Sequence, residues 1–234
     1  MKRYLLLIKT NVKISYIIIV INIIIWLAME LLGGSTNTII LLLFGALYKE
    51  SVLMGQVWRL ISCAFLHIGF IHLLINSYTL YQLGPFIENF FGKTKFIATY
   101  ILCALSASIL SLVFSTGVSA GASGALFGLT GLLLGNGWAK KRYTFDLPID
   151  EMQLVPFVLY NLFFGFLVPG IDNWAHIGGL VCGILLGYIF DPSLSFDPSP
   201  IKKFAPKILG IFSILILAVS SIFWIFSIFV NLYY

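Results

Sequence analysis

The chain of 234 residues holds three histidines, His67, His72 and His176, and one serine framed by small residues in Gly121-Ala122-Ser123-Gly124-Ala125. A serine hydroxyl is a poor nucleophile until a base takes its proton, and neutral imidazole is the side chain suited to that task at physiological pH. These residue types suggest Ser123 as nucleophile and His176 as base. His72 and Asn76 lie four apart, so on a helix they share one face and can donate hydrogen bonds to one oxygen, as an oxyanion hole requires. The backbone N–H of Ser123 is a third donor if a helix begins there, because first-turn N–H groups have no intrahelical partner and sit at the positive end of the dipole. Gly121 and Gly124 flank the serine and line the site. Phe127, four residues on, falls on the serine's face, where its ring can pack against the imidazole of His176. No carboxylate stands ready to complete a triad: the acidic residue nearest His176 is Asp172, four earlier, so a Ser-His dyad is expected, with Asp172 as an outside alternative.

Taken singly, each residue has a plainer reading. A serine among glycines packs helices, His72 and Asn76 can bridge two helices, and the glycines Gly179, Gly183 and Gly187 first of all let backbones approach in the small-xxx-small manner. Glu88 with Arg59 or Lys93 reads as a satisfied interfacial charge. His176 differs, because an ionisable residue within an apolar run is a functional candidate by default.

The elements that must position these groups are read from composition. Hydrophobic residues make up 60% and charged residues 10% of the chain, and the mean hydropathy is +1.02. A soluble domain carries about 25% charged residues, so lipid is the expected solvent. Crossing about 30 Å of hydrocarbon takes about 20 helical residues. Seven spans are expected: Ile14 to Leu32, Phe70 to Phe90, Phe96 to Phe114, Ala122 to Trp138, Gln153 to Val168, Trp174 to Phe190, and Ile208 to Leu232. Gly69 and Gly92 are natural punctuation for the second. The short apolar piece Thr38 to Tyr48 is too brief to span and suits a segment at the interface. The organisation expected is a short cytoplasmic N-terminus over 1–13, a six-span core over 14–190, a cytoplasmic linker over 191–206 and a seventh transmembrane helix over 207–234. Basic residues fall on alternate sides of this arrangement. With the N-terminus inside, Lys2, Arg3, Lys9, Lys13, Lys93, Lys95, Lys140, Lys141, Arg142, Lys202, Lys203 and Lys207 are cytoplasmic and only Lys49 and Arg59 are outside, as the positive-inside rule demands. The second, fourth and sixth spans then start on the outer side, and His72, Ser123 and His176 share one depth there.

The net charge of +5 does not point to nucleic acid, since the basic residues sit singly or in small groups between apolar runs. The three cysteines, Cys63, Cys103 and Cys182, follow no disulfide or CxxC pattern and read as small buried hydrophobes.

The motifs resemble those of rhomboid intramembrane serine proteases. Trp58-Arg59 is similar to that family's Trp-Arg pair, His67, His72 and Asn76 to its H-x4-H-x3-N run, and Gly84, Glu88 and Gly92 to its G-x3-E-x3-G. Gly121-Ala122-Ser123-Gly124 resembles the G-x-S-G nucleophile motif, and Ala175-His176 with Gly179 and Gly183 resembles A-H-x2-G-x3-G. The likeness runs from about Trp58 to Tyr188. It implies an all-α integral membrane protein, a rhomboid-like six-helix bundle plus a C-terminal seventh helix, the six-plus-one arrangement of part of the family. It also implies Ser123 as nucleophile, His176 as base, an oxyanion hole of His72, Asn76 and the Ser123 N–H, a first loop lying partly in the membrane, and cleavage after a small residue. Phe127 stands where some members carry Tyr.

The expected activity is endopeptidase cleavage in or near the transmembrane segments of other proteins, close to the extracytoplasmic face of a multi-pass protein of the bacterial plasma membrane. Transmembrane protein substrates and the bilayer are the expected partners; no cofactor and no metal is called for. Two other classes stay open. A rhomboid-like protein that binds membrane clients without cutting them would be expected to lack the serine or the histidine, and both are present. A transporter or metal channel using His67, His72 and His176 would need an HExxH motif or a carboxylate partner beside them, which the spans do not offer, and His67 and His72, five apart, are poorly spaced to share one helical face.

Overall fold

The computed structural model describes residues 12–139, 151–192 and 200–233. The basic residues Lys2, Arg3, Lys9, Lys140, Lys141 and Arg142, used above for orientation, lie outside the described residues. Within them the regular structure is helical, apart from one isolated antiparallel bridge between Leu47 and Ser119.

Helix α1 covers Ile14–Leu31. The first loop then folds into three short helices, α2 (Thr38–Leu43), α3 (Lys49–Leu53) and α4 (Arg59–Ser62), and a 3-10 turn at Cys63–Phe65. The expected single interfacial segment over Thr38 to Tyr48 is therefore broken. Its helix stops at Leu43 because Gly45, at φ +92°, turns the chain in a conformation that side chains disfavour. Helices α5 (Phe70–Phe91), α6 (Lys93–Phe114), α7 (Ser123–Trp138), α8 (Glu151–Leu167), α9 (Asn173–Ile189) and α10 (Pro200–Tyr233) complete the order. Gly69 and Gly92, both at positive φ, bound α5. Helix α6, the third expected span, starts at Lys93, three residues ahead of the expected Phe96, directly on the turn at Gly92.

The linker expected over 191–206 is shorter than the sequence suggested, for α10 already begins at Pro200. Proline suits a first helical position, where its fixed φ is pre-set and the missing N–H would have been unpaired anyway. Pro206 sits inside the helix without ending it.

Helices occupy all seven places where spans are expected. By length and apolarity α1, α6 and α10 can each cross a membrane, and α5 joins them if its bent lead-in Arg59–Phe65 is counted with it. Helices α7, α8 and α9, of 16, 17 and 17 residues, reach only about 24 to 26 Å at 1.5 Å per residue. Helix α7 is the centre of the bundle: every residue from Gly124 to Gly137 is buried. The main core gathers Phe91, Phe96, Tyr100, Leu129 and Phe190, among others, around α5, α6 and α7.

Glycine makes the central contact possible. A Cβ on Gly179 would lie 1.9 Å from the carbonyl oxygen of Gly124, and one on Gly183 equally close to that of Gly128. In return, a Cβ on Gly131 would lie 2.4 Å from the oxygen of Leu180 and one on Gly135 2.1 Å from that of Ile184. Backbones of α7 and α9 therefore touch along about three turns, where any larger residue would hold them apart.

Glu88 does not pair with Arg59 or Lys93. Its carboxylate is buried and accepts from the backbone N–H of Ile14 and Ser15, both at 2.9 Å, and from the Ser15 hydroxyl at 2.7 Å. These are the orphan donors at the start of α1, and a negative charge there also meets the positive end of the helix dipole. Lys93 donates to the carbonyl of Val12, and Arg59 is committed to the first loop, donating to the carbonyls of Leu42 and Ala46 at 2.9 and 2.8 Å.

Candidate active site

Ser123 is the first residue of α7 and His176 lies in the first turn of α9. The close backbone contact of these two helices brings His176 Nε2 to 2.9 Å from Ser123 Oγ. With the imidazole proton on Nδ1, the hydroxyl donates to Nε2, the arrangement in which a base can take the serine proton. The ring of Phe127 lies nearly parallel to that of His176, with centroids 4.3 Å apart and 13° between planes, and so fixes the imidazole's orientation.

The far nitrogen of His176, Nδ1, is buried and has no hydrogen-bond partner among the described residues. Asp172 turns elsewhere. It caps α9 by accepting from the Ala175 N–H at 3.1 Å and takes hydrogen bonds from the hydroxyls of Ser111, in the last turn of α6, and Ser115, the residue just after it. Asp172 thus holds the start of the helix that carries His176, and the alternative of a triad through it has no contact to rest on.

Helix α5 supplies the opposite wall. A Cβ on Gly121, which has φ +142°, would lie 2.5 Å from His72 Cε1 and 3.6 Å from Asn76 Nδ2. The His72 and Asn76 side chains therefore press against the backbone two residues before Ser123, and Gly121 is the residue that allows it. Asn76 Nδ2 is a buried donor with no partner among the described residues, an arrangement that costs stability unless something else occupies it. His67 is fully buried behind this wall, its ring edge-on to that of His72 at 5.2 Å. The start of α5 is tied by the Gly69 N–H donating to Ser35 Oγ, which itself donates to Glu30.

A cavity of about 670 Å³ opens over these groups. Its lining includes His72, Asn76, Ser123 and His176, together with Ile75 of α5 and Phe157 of α8. These polar groups thus face one space in which a carbonyl can sit. Gly124 lines the cavity as well and also stands at a helix contact, where a Cβ would meet that of Ala107 at 2.5 Å.

Two parts of this assembly went unread in the sequence. One is the pair of bonds that couples Leu47 to Ser119, each N–H donating to the other's carbonyl at 2.9 Å. With the Gly121 N–H donating to the Cys63 carbonyl at 2.9 Å, it fastens the approach to Ser123 onto the first loop. The other is the clasp of Ser111 and Ser115 on Asp172, which ties the last turn of α6 and the extended residue after it to the start of α9.

The fold and site define a multi-pass helical membrane protein with a serine and a histidine joined in the lining of one cavity. The chain matches the family model described as the Rhomboid domain over residues 54–193, and it belongs to the rhomboid family. It is 38% identical over 169 residues to the Rhomboid protease GluP of Bacillus subtilis, covering 72% of this chain and 33% of that protein. To RHOMBOID-like protein 5 of Arabidopsis thaliana it is 41% identical over 162 residues, 68% of this chain and 52% of the relative. To Rhomboid-like protease 1 of Toxoplasma gondii it is 35% identical over 166 residues, 68% and 56%. The chain thus spans between a third and just over half the length of these relatives.

Proposed function

We propose that the chain is an intramembrane serine endopeptidase that hydrolyses peptide bonds in or near transmembrane segments of other proteins through a Ser123-His176 dyad. The observation that carries this reading is the 2.9 Å approach of His176 Nε2 to Ser123 Oγ inside a cavity walled by His72 and Asn76. His176 accepts the Ser123 proton as Oγ attacks the carbonyl carbon. The developing oxyanion lies against the Ser123 N–H, Asn76 Nδ2 and the His72 imidazole, donors fixed before the reaction starts. His176 then protonates the leaving amine, and water cleaves the acyl-serine by the same route. An intact substrate helix hides its carbonyls, so the segment must unwind locally to be cut.

Helices α1 and α5 to α10 are read as seven spans, with the N-terminus in the cytoplasm. The excess of lysine and arginine in the inner segments supports this orientation and puts the dyad near the extracytoplasmic face. Likeness to the Bacillus protein supports the plasma membrane of a bacterium as the setting. The test is cleavage of a reporter transmembrane protein in reconstituted vesicles by the intact chain, Ser123→Ala and His176→Ala at equal folded amounts. Cutting by the intact chain alone is expected; equal cutting by Ser123→Ala would overturn the proposal.

A further inference from the structure

The helix of the seventh span, α10, makes a polar contact with the first loop. Near its C-terminal end the Trp224 indole Nε1–H donates to the carbonyl of Phe44 in the first loop. The Trp224 ring also lies 6.3 Å from that of Phe65, and the neighbouring Phe223 stacks on Trp58 at 6.0 Å with 13° between planes. A Cβ on Gly45 would fall 2.9 Å from Trp224 Nε1 and 2.8 Å from Ser62 Oγ, so the turn at Gly45 closes directly onto the indole. Four carbonyls of this turn are held by side chains. Those of Leu42 and Ala46 go to Arg59, that of Gly45 to Ser62, and that of Phe44 to Trp224. Three of these anchors come from within the first loop; the fourth comes from α10.

What the turn carries is the approach to the nucleophile. Leu47, two residues after Gly45, exchanges both backbone hydrogen bonds with Ser119, and Ser119 is followed by Gly121 and Ser123. We propose that Trp224 is a positioning residue: its bond to Phe44 fixes the first-loop turn, and through the Leu47–Ser119 bridge it sets the backbone of Gly121 and Ser123 against His72 and Asn76. The seventh helix then acts on the reaction from outside the six-helix core. The reference to catalysis rests on the protease reading proposed above; the mechanical coupling does not.

Two measurements on Trp224→Phe separate these layers. Phenylalanine keeps a ring against Phe65 and removes only the donor. Phe226→Ala, which changes an exposed side chain of the same helix, is the control. In amide hydrogen exchange on vesicle-embedded protein, Trp224→Phe is expected to speed exchange at 44–48 and 118–122 while α7 and α9 stay protected. Unchanged exchange at 118–122 overturns the proposal whether or not the chain cuts any substrate. In the reporter assay, kcat is expected to fall about tenfold with KM within about twofold, as displacement of reacting groups by a fraction of an ångström predicts, and with thermal stability close to that of Phe226→Ala. A variant that cuts as fast as the intact chain overturns the catalytic part, whereas an intact chain that cuts nothing counts against the protease reading and leaves exchange to decide the coupling.

Discussion

Substituting Gly179 by alanine perturbs the α7–α9 contact at the level of the dyad. Its Cβ would lie 1.9 Å from the Gly124 carbonyl oxygen, with the carbonyl carbon at 2.7 Å. A carbon against a carbonyl oxygen settles at about 3.3 Å even in favourable C–H···O contacts, so the backbones must part by roughly 1.4 Å there. Gly124 follows Ser123 directly and Gly179 lies three residues beyond His176, so the separation is passed to the Ser123–His176 contact with little loss. Its 2.9 Å would lengthen to about 4.3 Å, beyond hydrogen-bond range. Losing a positioned base costs about 10²- to 10⁴-fold in rate, against an overpacking cost of about 1–3 kcal/mol in stability. Cleavage of a reporter in vesicles, normalised to folded protein by thermal melting, reads both. Gly117→Ala, where a Cβ meets nothing within 4 Å, should match the intact chain. If Gly179→Ala cuts within threefold of the intact chain at equal folded amount, the reasoning from helix spacing to catalysis is refuted.

Phe127→Ala removes the ring stacked on His176; an aromatic pair contributes about 0.5–1.5 kcal/mol beyond its buried area, so kcat should fall about three- to tenfold while the protein stays folded. An unchanged rate would mean that the imidazole is held without Phe127. Glu88→Gln weakens three hydrogen bonds at the start of α1 and removes the charge that complements the helix dipole, so thermal stability should drop by about 1–2 kcal/mol. The protein still folded should cut at an unaltered rate, and a lower rate at unchanged stability would mean that Glu88 serves the site and not the fold.

Much of the site was legible because it is built from short-range patterns laid on helices. His72 and Asn76 four apart, and Phe127 four after Ser123, meet their partners as a helical face predicts. The spaced glycines announce the α7–α9 contact before any coordinate is seen, since only a close approach needs them. Helix ends marked by Gly69 and Gly92 fall where expected. What escaped was set by contacts distant in sequence. Glu88 answers to Ser15, 73 residues away, and sequence proximity instead suggested Lys93. Asp172 is taken by hydroxyls 57 and 61 residues earlier. The first loop misled for another reason: its apolar run reads as one segment, but its turn depends on Arg59 and Ser62 later in the loop and on Trp224 of α10. Prolines in 191–206 suggested a linker, although a proline at a helix start favours the helix.

The central claim is that His176 activates Ser123 as a nucleophile, and covalent trapping tests it most directly. The intact chain in vesicles is treated with a fluorophosphonate and its peptides are mapped by mass spectrometry. One adduct on Ser123 is predicted, absent in Ser123→Ala and formed at least about a hundredfold more slowly in His176→Ala. A chain that cuts the reporter without carrying an adduct on Ser123, or a His176→Ala variant labelled as fast as the intact chain, would contradict it.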